Sequence, residues 1–174
     1  MTVPGVVDFY GDFRIGGPFA VVGGFNKYLG WSTTNNSQDL DEFYAFDADP
    51  SKPDRYLLDG ASHPLKRDVI NVTVRDGDAL TTETRDFWWT PFGPVVYRGD
   101  GKIYIIKFAG DGELRSGEQF LRMMRAKSLE KWKEAMKMRA RPTSNFTYAD
   151  ARGNIFFIWN ASLLITPTMK ADIL

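Results

Sequence analysis

The feature that most constrains this chain is a change of period about two-thirds of the way along it. Up to about residue 115, the apolar residues come in short runs rich in β-branched and aromatic side chains, each bounded by Gly, Pro, Asn or Asp. Such runs read as strands and their punctuation as turns. The predicted strands are Val6–Tyr10, Phe19–Gly23, Tyr28–Thr34, Glu42–Asp47, Val69–Arg75, Thr81–Trp89, Val95–Tyr97 and Lys102–Phe108. At Arg75-Asp76-Gly77-Asp78 a strand enters a hairpin turn, because Asp-Gly supplies the positive φ that tight turns need. A helical spacing then takes over. Ser116-Gly117-Glu118-Gln119 has the form of a capping box and predicts a helix over Glu118–Ala126. Ser128 is placed to cap a second helix, with Leu129, Trp132, Ala135 and Met136 on one face. Lys133, Lys137 and Arg139 sit late in it, as the helix macrodipole favours, and Pro142 is expected to stop it.

Strands return at Asn145–Tyr148 and Ile155–Asn160, across a turn that contains Gly153. The last ten residues, with Pro167, read as a strand edge or a frayed tail. No repeat, low-complexity tract or linker interrupts this order. The expectation is one α+β domain over residues 1–174, mostly antiparallel strands with a short helical pair.

Composition removes several function classes. The 22 basic and 22 acidic residues cancel, so nothing draws the chain to nucleic acid, and near-zero charge favours association. There are no cysteines, hence no disulfides and no thiolate metal sites. No stretch approaches the roughly 20 apolar residues of a membrane span. The opening MTVPGVVDFYGDF has neither a basic region nor a long apolar region and does not read as a signal peptide.

A search for catalytic sets returns little. A Ser–His–Asp triad would have to use the single histidine, His63, which stands in Ser62-His63-Pro64 without a nucleophile-elbow motif and reads as a surface loop residue. There is no HExxH, no P-loop and no GxGxxG opening a helix, and Gly16-Gly17 and Gly23-Gly24 read as tight turns. The Asn-x-Ser/Thr sequons at Asn35, Asn71, Asn145 and Asn160 fall largely within predicted strands and read as chance.

Three stretches stand out as motifs: GGFNKYLGWSTTNNSQDLDEFYAF over residues 23–46, TPFGPVV over 90–96 and SNFTYADARGN over 144–154. In this order, and with the N-terminal VPG and DPSKPDRYLLDG over residues 49–60, they resemble the β chain of the penicillin acylase family. The resemblance is strongest to the acyl-homoserine-lactone acylase branch and runs from about Val3 to Ser162. It implies part of the layered sandwich of N-terminal-nucleophile hydrolases. It also implies cleavage of acyl amides through an acyl-enzyme, formed when a terminal Ser attacks with its own α-amino group as base.

By motif matching, the resemblance assigns the oxyanion hole to the backbone N–H of Asn35, next to Thr34, and to the side-chain amide of Asn145. No cofactor is implied beyond a structural calcium ion, for which Asp39 and Glu42 match an acidic pair of some members. Nothing in the chain matches the family's nucleophile. The expectation is therefore a fragment that is inactive alone and whose partner is the remainder of the precursor, itself exported to the periplasm. Self-association would cover open sheet edges. The alternative is a non-catalytic acyl-binding or self-assembling module, with Trp88-Trp89 and Phe156-Phe157 lining a groove.

Overall fold

The computed structural model describes residues 1–13 and 21–164. In chain order the elements are β1 (Thr2–Val3), β2 (Val7–Asp8), β3 (Tyr10–Phe13), β4 (Val21–Phe25), β5 (Leu29–Asn35), β6 (Asp41–Ala48), β7 (Arg55–Leu58), β8 (Ala61–Pro64), β9 (Lys66–Asp76), β10 (Ala79–Thr90), β11 (Gly93–Gly99), β12 (Lys102–Phe108), α1 (Ser116–Arg125), α2 (Leu129–Met136), β13 (Thr143–Asp150) and β14 (Ile155–Ala161). The strands are mostly antiparallel and the helices are two short ones, as expected. The residues divide into two compact units, Met1–Leu40 with Ala109–Leu164, and a second whose described part is Asp41–Phe108.

The first unit is built on a five-stranded antiparallel sheet of order β14-β13-β5-β4-β3, with β1 and β2 as a separate small pair. Strand alternation puts Leu29 and Trp31 of β5 and Phe146 and Tyr148 of β13 on one buried face. The helices cover that face with Phe120, Met123, Met124, Trp132, Ala135 and Met136. Trp132 is completely buried, its ring 5.1 Å from Tyr148, 6.0 Å from Phe146 and 6.2 Å from Phe156. Phe9 lies on Trp31 with ring centroids 4.5 Å apart.

The second unit is one seven-stranded antiparallel sheet of order β8-β7-β6-β12-β11-β10-β9, with a core of Phe46, Tyr56, Leu65, Ile103 and Ile105. Asp49 anchors its β6–β7 connection. The carboxylate accepts from the Ser51 N–H at 2.9 Å, the Ser51 hydroxyl at 2.7 Å and the Ser62 hydroxyl at 2.6 Å. Gly77 adopts φ of 60° in the β9–β10 turn, as the Asp-Gly signal predicts.

Several expectations are corrected. Val6–Tyr10 is not one strand. It breaks at Phe9, which turns in on Trp31. Ser116 does not cap α1. Arg115 holds the N-cap position without a side-chain bond to the helix's free N–H groups, while Gln119 is buried and accepts the Ala140 N–H at 2.7 Å instead of reaching back. Ser128 does cap α2, accepting the Lys131 N–H at 3.3 Å. That helix ends at Met136, before Pro142, and Arg139 turns the chain with φ of 54°.

His63 is not in a loop but in β8, its ring 5.5 Å from Tyr56. The β7–β8 hairpin behind this correction turns on Asp59-Gly60, with φ of 50° and 77°, the same kind of signal that located β9–β10. The first two residues of the predicted strand Phe19–Gly23, the Gly16-Gly17 turn and the last ten residues lie outside the described residues.

Candidate active site

Turn building accounts for much of the three sequence stretches. In the first, the Asn26 amide donates to the carbonyls of Met124 (3.0 Å) and Ala126 (2.9 Å), while its oxygen accepts from Tyr28 and Leu29. It ties the β4–β5 turn to the end of α1. In the second, the Thr90 hydroxyl accepts from the N–H groups of Phe92 and Gly93 at the β10–β11 turn. In the third, the Asp150 carboxylate accepts from the Arg152 N–H, the Asn154 N–H and side-chain amide, and the Tyr148 hydroxyl. Those bonds, led by the Asn154 side chain, hold the Asp150 carboxyl below its usual range. Tyr148 is pushed up, first by burial and then by its bond to Asp150.

What this accounting leaves is Thr34, Asn35 and Asn145. Strands β5 and β13 pair so that Thr34 stands opposite Asn145, and Asn35 opposite Ser144. Because Ser144 and Phe146 are buried among the helices' contacts or beside them, alternation puts the Asn145 side chain on the sheet's other face. Its Nδ2 donates to Thr34 Oγ1 at 3.1 Å and, more weakly, to the Asn35 carbonyl at 3.4 Å. Its Oδ1 is buried and has no partner among the described residues. The chain leaving Asn35 is pinned as well: Asn36 Nδ2 donates to the Asn160 carbonyl at 3.2 Å, and Gln38 Nε2 to the Pro142 carbonyl at 2.5 Å. The Oδ1 of Asn36 and Oε1 of Gln38 are likewise buried without a partner. Unpaired buried acceptors are uncommon and call for a reason. Sequence reasoning missed these two pins, whose only trace was a polar run directly after a strand.

One row along the same face, the hydroxyls of Ser32 and Thr147 meet at 2.7 Å. Aromatic residues flank the polar strip. Trp159 and Phe157 of β14 stand opposite Asn145 and Thr147, and Phe25 of β4 stacks near Tyr10 of β3 at 5.6 Å. All four aromatics are exposed.

The arrangement offers neutral donors and acceptors, not an acid–base pair. His63 makes no hydrogen bond to a hydroxyl or carboxylate among the described residues, so no Ser–His–Asp set forms around it. The carboxyl groups with displaced pKa all move down, Glu113 to about 2 through its bonds to Arg115, Asp49 to about 2 through Ser62 and Ser51, and Glu130 through Ser128. Each is held charged by its local partners, the opposite of a tuned general acid. Asp39 lies after β5 and Glu42 within β6. Among the described residues no three acidic or histidine side chains converge. Calcium takes six to eight oxygens, so this pair supplies part of a shell at most. Nor do the aromatic pairs each line one groove. Consecutive strand residues face opposite ways, so Phe156 packs against Trp132 while Phe157 is exposed, and Trp88 joins the core of the second unit while Trp89 is exposed.

The family model described as penicillin amidase matches residues 1–172. The chain belongs to the penicillin amidase family. It is 30% identical over 181 residues to the acyl-homoserine lactone acylase PvdQ of Pseudomonas fluorescens strain Pf0-1, a match over 99% of this chain and 23% of that protein. It is also 30% identical to the PvdQ acylase of Pseudomonas putida, over 91% of this chain and 21% of that one. Among solved structures it is similar to a thermostable penicillin G acylase from Alcaligenes faecalis, with TM-score 0.78 and 27% identity over 92% of this chain and 29% of that chain. This family member thus spans under a third of the length of these relatives, and its antiparallel strands and two short helices match part of a penicillin acylase.

Proposed function

We propose that this chain supplies the oxyanion-hole part of an amide hydrolase of the penicillin acylase type, one that cleaves acyl amides through an acyl-enzyme. The observation that carries this is the meeting of Asn145 with Thr34 and Asn35, brought together from more than a hundred residues apart, with one of the two amide N–H bonds long at 3.4 Å. In acyl transfer the carbonyl oxygen gains a negative charge as the tetrahedral intermediate forms. Neutral N–H groups fixed in advance stabilise that charge without competing for the proton. On this reading Asn145 Nδ2 keeps its 3.1 Å bond to Thr34 and turns its second N–H, held only weakly at 3.4 Å, to the oxyanion. The backbone N–H of Asn35 is the second donor. The relatives' names direct the choice of substrates to acyl-homoserine lactones and penicillin G.

The nucleophile is assigned to polypeptide outside these 174 residues, which makes the chain inert by itself. The exposed aromatic face of the first unit then becomes an inner layer of the family's sandwich. Asp39 and Glu42 take no step in the chemistry. A melting temperature unchanged by EDTA would remove the reading that they hold a structural calcium ion. The alternative of an acyl-binding module draws on that same exposed face, and a flat calorimetric titration with long-chain acyl amides counts against it.

The deciding experiment is Asn145→Ala in an acylase carrying this segment, assayed beside the 174-residue chain alone. The expected result is a loss of about 10²–10³ in kcat with KM little changed, the usual effect of removing one oxyanion donor. Undiminished kcat in the variant, or steady turnover by the chain alone, overturns the proposal.

A further inference from the structure

Strand β5 ends at Asn35, and residues 36–40 belong to no strand or helix. Backbone at the end of a strand frays unless something ties it down. Here the ties are the two side-chain amides already described, from Asn36 to the Asn160 carbonyl and from Gln38 to the Pro142 carbonyl. Their partners stand 124 and 104 residues further along the chain. They mark the open end of the β13–β14 hairpin. Pro142 directly precedes β13, and Asn160 is the last residue but one of β14.

These anchors are themselves fixed. The Pro142 carbonyl also accepts the Ser162 N–H at 3.1 Å, and the buried Asn160 side chain donates to the Arg141 carbonyl. Ser144, also buried, pairs with Asn35 on one side and with Asn160 on the other. Asn35, Ser144 and Asn160 therefore make one row across three strands. Asn36 bridges the row from β5 to β14, and the bridge closes around the strand position next to Asn145.

We infer that Asn36 and Gln38 are positioning residues of the oxyanion hole, which hold the Asn35 backbone N–H at a set distance from the Asn145 amide. The inference rests on the reading of Asn35 and Asn145 as the two donors. The Asn145 amide has an orienting bond of its own, to Thr34. A backbone N–H has no rotamer of its own, and its direction is that of its peptide plane. The β5–β13 pairing sets that plane from one side, and the two amides set it from the other. A donor stabilises the oxyanion most when it is in place before the charge develops. A displacement of about 1 Å can cost about 10²-fold in rate.

The test uses an acylase carrying this segment, with kcat taken per folded, processed molecule. Gln38→Met keeps the length of the side chain and removes its donor. Because Gln38 is half-buried and outside any element, this variant disturbs the sheet least. Asn36→Ala removes the other bridge. Each is expected to lower kcat about ten-fold with KM little changed, the pattern of a contact made only in the transition state. Ser37→Ala, exposed and between the two, is expected to keep wild-type kcat. Asn145→Ala, run beside them, separates this inference from the reading beneath it. Wild-type kcat in Gln38→Met and Asn36→Ala, with the loss in Asn145→Ala intact, overturns the positioning role and leaves the oxyanion donors standing. Wild-type kcat in all three overturns both. A raised KM at unchanged kcat, or an equal loss in Ser37→Ala, also overturns the positioning role.

Discussion

The amide of Asn145 donates to the hydroxyl of Thr34 across 3.1 Å, between strands that come from residues 111 apart in the chain. The hydroxyl thereby fixes which way the amide points. Thr34→Val keeps the shape and removes the acceptor, at a cost of about 1 kcal/mol for a typical net hydrogen bond. In an acylase carrying this segment, kcat is expected to fall about five- to ten-fold, with KM unchanged and Thr34→Ser near wild type. A Thr34→Val enzyme within about two-fold of wild type would show that the bond does not orient the donor.

Trp132 is the largest fully buried side chain, and it joins α2 to β13 and β14 through Phe146, Tyr148 and Phe156. Trp132→Ala is expected to cost about 3–5 kcal/mol, combining lost transfer energy with the cavity left behind. Trp132→Phe should cost much less, because it also deletes an indole N–H that is buried without a partner. Urea denaturation reads both as shifts of the midpoint at constant slope. If the alanine variant loses less than about 1 kcal/mol, this cluster is not the core of the first unit.

The strands were legible wherever a β-branched run met a Gly or Asp turn, as at β9–β10, and the α2 face was legible from the spacing of Trp132, Ala135 and Met136. The failures had local causes. At Gln119 a sequence pattern for capping lost to a tertiary partner, the Ala140 N–H, which no local rule contains. At His63 the Asp59-Gly60 turn was present in the sequence, but the flanking runs are only four residues long and carry a Pro. The candidate site was legible only through resemblance. Taken alone, Asn145 is a polar residue beginning a strand. Its meaning comes from the β5–β13 register, a non-local pairing that composition and period do not encode.

Acid should weaken the second unit through Asp49. Its carboxyl is held at about 2, below the usual 3.8, first by the Ser62 hydroxyl and then by Ser51. A folded pKa below the unfolded one means the ionised group favours the folded state. That contribution is complete above the unfolded value and disappears as pH falls through about 2. Ser62→Ala is therefore expected to melt below wild type near neutral pH, with the gap narrowing as pH falls from about 5 toward 2. Thermal melts at several pH values check this, and a gap independent of pH would leave the Ser62–Asp49 bond without a stabilising role.

Gly24 is predicted to be irreplaceable for a reason of space. It lies in β4 at φ of 155°, and a Cβ there would overlap the Tyr10 carbonyl oxygen and sit 2.5 Å from Phe9 Cε1 and 2.6 Å from Gly11 Cα. Two of these three neighbours are backbone of β3, so the side chain cannot be accommodated by a rotamer change. The third is the ring that lies on Trp31. Gly24→Ala is expected to destabilise the first unit by about 1–3 kcal/mol, as overpacking does. Adding Phe9→Leu should recover only part of the loss, since the collision with the Tyr10 carbonyl remains, and the two changes should couple in a double-mutant cycle. If the effects of the two substitutions simply add, the ring does not press on Gly24, and the close approach of β3 to β4 alone sets the requirement for glycine.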